Sequence, residues 1–352
     1  MLTCRLFPLG LMLWVGIALL VTLALLSGRA FFPSWSLHYG VRGGASPGWT
    51  VGLLDTQRGL MQPLQRGYRD WERLHLSPDR RLVAGEIPDE RIAVFNTRQA
   101  NLTTPQQTRS GLAPNWSPDG ARLAYQNRGA IFVVPVTADG TLGRARRISD
   151  FTRDFAFSPL WSPDGRYVLY QTESYAGFRR ENAELYLVQP GDAAQSEALN
   201  LTAQEPDPAS SPAWSADGRR LAYVTFDGAR SAIHILELAS QEAQVVARWG
   251  EFITGLSWSP DGRMLAFYSV RERSFSLVAL WVDGEASSLP RLLSNVTMDI
   301  TKAMVWSPDS RRIAFVTLRE GDVYSVRADA GRPAQADLRR LSDSPTRVYL
   351  LP

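Results

Sequence analysis

Two hydropathy patterns divide the chain. From Leu6 to Leu26 runs LFPLGLMLWVGIALLVTLALL, 21 residues without a charge. At ~1.5 Å per residue this makes a helix of about 32 Å, enough for a hydrocarbon layer of about 30 Å. The pattern therefore predicts a transmembrane helix over 6–26. Pro8 falls in its first turn, where a missing N–H costs little. An amphipathic core helix needs polar positions at helical spacing, and Thr22 is the only one. A secretory signal has a shorter apolar region, roughly 7–15 residues, so an uncleaved anchor is preferred to a removed signal, although Gly28-Arg29-Ala30 resembles a weak cleavage site.

Beyond residue 48 the apolar residues come in short runs separated by turn residues, and one phrase returns six times. It reads HLSPDRRLVAG from His75, NWSPDGARLAY from Asn115, LWSPDGRYVLY from Leu160, AWSADGRRLAY from Ala213, SWSPDGRMLAF from Ser257 and VWSPDSRRIAF from Val305. Its serines stand at 77, 117, 162, 215, 259 and 307, a period of 40 to 53 residues. In Ser-Pro-Asp-Gly, proline presets φ for the second turn position and aspartate tolerates the third. Glycine then takes the positive φ that closes a hairpin. Each phrase is thus strand, turn, strand. Ser310 replaces the glycine in the sixth copy and is expected to strain the turn or change its type; Asp79-Arg80-Arg81 is expected to break it in the first.

The apolar runs after each turn, such as Leu123-Ala124-Tyr125 and Leu265-Ala266-Phe267, suit strands covered on both faces. Third strands are read at 131–136, 184–189, 232–238, 276–282 and 322–326, and short outer strands at 147–149, 200–202, 291–294 and 340–342. Four strands per period of forty-odd residues is the mark of a β-propeller blade. These residues resemble the TolB-type propeller repeat, a Trp-Ser-Pro-Asp-Gly turn followed by an Arg-Leu/Ile-Ala-Tyr/Phe strand, over roughly residues 73–345. The resemblance implies an all-β propeller. It carries no activity, because such blades also serve in scaffolds, peptidase propellers and polysaccharide lyases.

Six complete copies make six blades, yet blade-like sequence remains at both ends. Residues 49–66 read as third and fourth strands, and TRVYLLP at 346–352 falls where another inner strand is due. A seventh blade shared between the ends is the preferred account, with 348–351 innermost and 36–65 supplying the rest. A six-bladed ring is the alternative, and Phe32–Ser36 competes for the inner position. The expected organisation is a tail at 1–5, the helix at 6–26, a juxtamembrane segment at 27–48 and the propeller at 49–352.

Composition narrows the chemistry. Thirty-eight Lys+Arg against 35 Asp+Glu give a net charge of +3, which offers no concentrated basic face for nucleic acid. One cysteine, Cys4, and three histidines, His38, His75 and His234, leave no disulfide framework and no metal cluster legible in sequence. No cofactor motif occurs. Gly44-Ala45-Ser46-Pro47-Gly48 has the letters of a nucleophile elbow, but Pro47 has no N–H for an oxyanion hole, and no stretch is left for a hydrolase domain. The repeat aspartates are read as turn residues and the tryptophans at 116, 161, 214, 258 and 306 as packing between blades. The N-x-S/T triplets at Asn101, Asn115, Asn200 and Asn295 arise largely from the repeat itself.

One local feature stands apart. The insertion SYAGFRRENAE at 174–184 is read as a projecting loop, and Tyr175, Phe178, Arg179 and Arg180 combine the aromatic and Arg character of interface anchors. The chain is expected to be a membrane-tethered, extracytoplasmic, non-catalytic propeller whose partner is a protein. An envelope polysaccharide ligand, or lyase activity at the channel mouth, is the alternative.

Overall fold

A computed structural model describes residues 36–351 apart from the segments 43–48, 56–59, 69–71, 88, 97–106, 150–154, 177–178, 192–196, 272–273, 283–289, 295–303, 318–321, 329–337 and 342–346. The transmembrane expectation at 6–26, the elbow-like pentapeptide and the competing strand at 32–36, save Ser36, lie outside the described residues. Among the described residues no helix is long and apolar enough to cross a membrane.

Among the described residues the fold is all-β, with seven four-stranded antiparallel sheets. Six of them each take one repeat. In the third, for example, the strands Phe155–Trp161, Val168–Ala176, Arg179–Val188 and Leu199–Asn200 lie side by side in chain order. The seventh joins the two ends of the chain: Arg347–Leu351 pairs with Ser36–Arg42, with His38 opposite Leu351, followed by Trp49–Asp55 and Leu60–Tyr68. The compact unit begins at Ser36, and Ser36–Arg42 is one of its strands. Arg347–Leu351 runs beside Arg312–Val316 of the sixth sheet and Glu72–Leu76 of the first.

The repeated phrase folds the same way in all six copies. The serine hydroxyl donates to the aspartate Oδ1 at 2.5–2.6 Å. It also accepts the N–H five residues on, at 2.8–2.9 Å. The same Oδ1 accepts the N–H two residues on, at 3.0–3.1 Å. A backbone bond from the fourth turn residue to the serine carbonyl closes the loop. Contrary to expectation, the first and sixth turns are neither broken nor changed in type. Arg80 and Ser310 both take φ 60, close to the 68–69 of Gly120, Gly165, Gly218 and Gly262. The side-chain bonds around the turn hold a conformation that costs about 1–2 kcal/mol for a residue with a Cβ. Ser310 returns part of that cost, since its hydroxyl accepts the Asp261 N–H at 3.0 Å.

Neighbouring turns touch in sequence, which places them on one face. A Cβ on Gly120 would meet Pro78 at 3.7 Å, and those on Gly165 and Gly218 would meet Pro118 and Pro163 at 3.6 Å. Arg122 donates to the Gly165 carbonyl at 3.2 Å and Arg220 to that of Gly262 at 2.6 Å. The same arginines lie 4.4 and 4.6 Å over the rings of Trp161 and Trp258.

The core lies between sheets. Trp116 packs with Leu82 and Ala84 of the preceding sheet, Trp161 with Ala124, Trp258 with Ala213 and Ala222, and Trp306 with Met264 and Ala266. The indole N–H of Trp116 reaches the His75 carbonyl and that of Trp258 the Ala213 carbonyl, both at 3.1 Å. Small residues in the second strands, Ala84, Ala124, Ala222, Ala266 and Ala314, are wholly buried and leave room for these rings.

Removing 346–352 takes away the inner strand of the seventh sheet and leaves an unpaired edge on Ser36–Arg42. The truncated chain is expected to melt several degrees lower and to aggregate. Equal melting temperatures would show that this strand closes nothing.

Candidate functional site

The inner strand of each of the six repeats ends at the serine–aspartate turn, Ser-Pro-Asp-Gly at 117, 162 and 259 and a one-residue variant of it at 77, 215 and 307, and begins at the opposite face, where the hairpins between second and third strands also lie. On this hairpin face two aromatic residues stand out. Phe155 is 59% exposed and Phe252 42% exposed, and each is the first residue of its inner strand. Both are held by the preceding sheet. Phe155 lies on Gly129, where a Cβ would come within 2.7 Å of the ring, and the Ala156 N–H bonds the Gly129 carbonyl at 2.9 Å. Phe252 meets Phe226 edge to face, with centroids 5.4 Å apart. An aromatic ring both exposed and fixed loses little freedom on contact with a partner.

Beside Phe155 the structure corrects the reading of 174–184. The segment is not a loop but the end of a β-hairpin: Phe155 opposes Glu173, and the pairing continues to Tyr175–Arg180 and Ala176–Arg179. Three residues, 174–176, extend past the inner strand, about 10 Å at ~3.3 Å per residue. Tyr175, Arg179 and Arg180 are thereby placed at the tip of one hairpin; Phe178 lies outside the described residues.

A second feature lies along the inner strands. Ala113-Pro114, Ser158-Pro159 and Ser211-Pro212 are bulged out of register with the second strand, with φ of 50, 49 and 52 at the first residue. The bulges wall a cavity of about 350 Å³ that also touches His75, Asn115 and Gln171. Sequence reasoning passed over it, although the signal was there: a proline two residues before Trp116, Trp161 and Trp214. Proline lacks the donor an inner ladder needs, so its recurrence marks a bulge. The buried Glu86 carboxylate accepts the Ala113 N–H at 2.7 Å and holds the first of these bulges.

The third feature is a buried polar network in the fourth repeat. Glu205 accepts the Tyr223 hydroxyl at 2.6 Å and lies 3.3 Å from His234 Nδ1. His234 Nε2 is 2.9 Å from the Thr225 hydroxyl, and its ring stacks on Tyr223 at 4.7 Å. Carboxylate, imidazole and hydroxyl are in line, but Thr225 and His234 are only 4% and 6% exposed. The network pins the connector carrying Glu205 to the sheet. Burial pushes the His234 pKa down, against the opposing charge of Glu205, and pushes that of Tyr223 up.

The repeat aspartates are turn residues by their bonds. The Ser77 hydroxyl holds Asp79 below the usual carboxylate range; at Asp164 burial opposes the shift, and the Ser162 hydroxyl and Arg166 outweigh it. Among the described residues no three His, Cys, Asp or Glu side chains are grouped to hold a metal ion.

Residues 179–342 match the TolB beta propeller domain. The Tol-Pal system protein TolB of Alcanivorax borkumensis is 35% identical over 99 residues, which cover 28% of this chain and 23% of that protein. The chain thus spans about a quarter of that curated relative. Among solved structures, an oligogalacturonate lyase in complex with manganese superposes with a TM-score of 0.64 at 15% identity, covering 83% of this chain and 85% of that one. A putative 6-phosphogluconolactonase from Bacteroides fragilis gives 0.60 at 15% identity, covering 92% and 100%. Identities this low establish the fold alone.

Two predictions follow from these bonds. Asp164→Ala removes an acceptor shared by Ser162 and Arg166 and is expected to cost roughly 1 kcal/mol in denaturant titration, leaving the hairpin face intact. A His234 pKa below its unfolded value means that the unfolded chain takes up the proton first. That part of the stability is fully present above about pH 6.5 and declines as pH falls toward the folded pKa. Melting temperatures between about pH 7.5 and 5 should therefore fall more steeply for the parent than for His234→Gln; parallel curves would remove His234 as the cause.

Proposed function

We propose that this chain is a membrane-tethered, extracytoplasmic, non-catalytic β-propeller of seven blades that binds a protein partner through its hairpin face. The observation carrying this reading is the pairing of a projecting hairpin at 174–182 with a fixed, exposed Phe155 at its base. A rigid aromatic anchor beside a raised hairpin is the arrangement that concentrates interface energy in few residues. The match to the TolB beta propeller domain supports a binding module, and the 21-residue apolar stretch Leu6–Leu26 supports the tether. The pairing of Arg347–Leu351 with Ser36–Arg42 supports seven blades.

The test is chemical cross-linking in native membranes. The double variant Phe155→Ala/Arg179→Glu should lose the cross-linked partner, while Arg166→Glu on the turn face should keep it. Unchanged capture by the first variant would reject the hairpin face as the docking surface.

A further inference from the structure

The fourth sheet takes the strands Ala209–Trp214, Arg220–Phe226, Ser231–Glu237 and Glu242–Trp249 in that order, so Glu242–Trp249 is its outer edge. This edge is unlike the others. Five of the outer strands span two to four residues. That of the seventh sheet, Leu60–Tyr68, carries Pro63 and two shifts of register. Short strands, prolines and bulges are the devices that keep a sheet edge from pairing with another chain. Glu242–Trp249 has eight residues, no proline and one shift, at Val246. The run Glu242–Val245 is therefore an unbroken edge, and all four of its residues are exposed, Val245 by 43%.

The hydrogen bonds of the sheet fix which backbone groups this edge offers. Beyond the ends of the second and third strands, the Leu238 N–H bonds the Arg219 carbonyl at 3.0 Å and the Asp227 N–H bonds the Arg230 carbonyl at 3.1 Å. Bonded and unbonded pairs alternate in an antiparallel ladder. Counting from either end, Ser231, Ile233, Ile235 and Glu237 turn their N–H and C=O toward the outer strand. Glu242 and Gln244, opposite Glu237 and Ile235, turn inward to meet them. Ala243 and Val245 therefore turn theirs outward, where no further strand of the sheet lies among the described residues.

We propose that this edge pairs antiparallel with the same edge of a second copy of the chain, about a two-fold axis at Gln244. A two-fold contact needs a surface complementary to itself, and this register supplies one. It sets outward residue against outward residue, so that Ala243 of each copy exchanges N–H and C=O bonds with Val245 of the other. The exposed valine gains the Ala243 methyl as a neighbour. Gln244 meets Gln244, and a carboxamide both donates and accepts. Glu242 lies opposite Val246 and about 13 Å from the other Glu242, so no like charges face each other. The pairing stops at the bulge. It uses neither Phe155 nor the projecting hairpin, and so does not rest on the partner-binding reading.

The test is disulfide trapping in the purified full-length chain carrying Cys4→Ser, which removes the native thiol. In the proposed register the two Gln244 residues form an unbonded pair with Cα atoms about 4.5 Å apart, within the span of a disulfide. Gln244→Cys should give a covalent dimer under a mild oxidant. Arg248→Cys should not, since its Cα atoms would be roughly 27 Å apart. Adding Val245→Pro to Gln244→Cys removes an outward N–H that bonds nothing within the sheet. It should leave the melting temperature of the reduced chain unchanged and lower the dimer yield about tenfold. Ala243→Pro carries the same expectation and replaces Val245→Pro if that variant does not fold. No dimer from Gln244→Cys, an equal yield from Arg248→Cys, or a yield untouched by the proline would each overturn the self-pairing. In intact cells, a Gln244→Cys disulfide to a different polypeptide, with no dimer of the chain itself, would overturn the second copy as the occupant.

Discussion

Everything in this domain hangs on one carboxylate arrangement, an aspartate that accepts a serine hydroxyl and a backbone N–H within a four-residue turn. The turn joins the inner strand to the second strand and sets their register. Because its serine is buried and its aspartate is at the surface, the turn also fixes which end of the sheet meets solvent. Once six such turns face the same way they touch in series, proline against glycine and arginine against carbonyl. The stacking of the sheets then follows from short-range geometry repeated, rather than from any one long-range contact.

The turn explains how Arg80 and Ser310 are tolerated. Side-chain bonds on both sides of the fourth position hold φ positive whatever residue sits there. A local conformational preference is weaker than a closed set of hydrogen bonds. This frees the position to carry other chemistry. Ser310 uses that freedom to bond the preceding turn.

The two ends of the inner strands have different characters. The turn end is dense with bonds that recur in every repeat and leaves little room for variation. The hairpin end carries what differs between repeats: a hairpin lengthened past Phe155 and the connector held by Glu205 on His234. Variation gathers where the scaffold does not need it, which is where a partner can be accommodated.

Read alone, the sequence was enough for the repeat, its turn, most of the third and outer strands and the packing role of the tryptophans, because each rests on residues within a few positions of one another; Arg91–Asn96, Gln107–Ser110 and Glu242–Trp249 were not read from it. The pairing of the chain ends was also legible, since 346–352 falls one period after the sixth repeat. Other features needed the tertiary structure. Whether 174–184 is loop or hairpin depends on pairing between its two arms, and the composition of Tyr175 to Arg180 does not reveal it. The prolines at 114, 159 and 212 were visible, but their meaning depends on three inner strands bulging into a common space. Likewise, Glu205 and His234 are 29 positions apart in the chain and meet only because a connector folds back on a sheet. Local hydrogen bonding can be read from a string of residues; which side chains share a cavity is decided when separate strands are brought together.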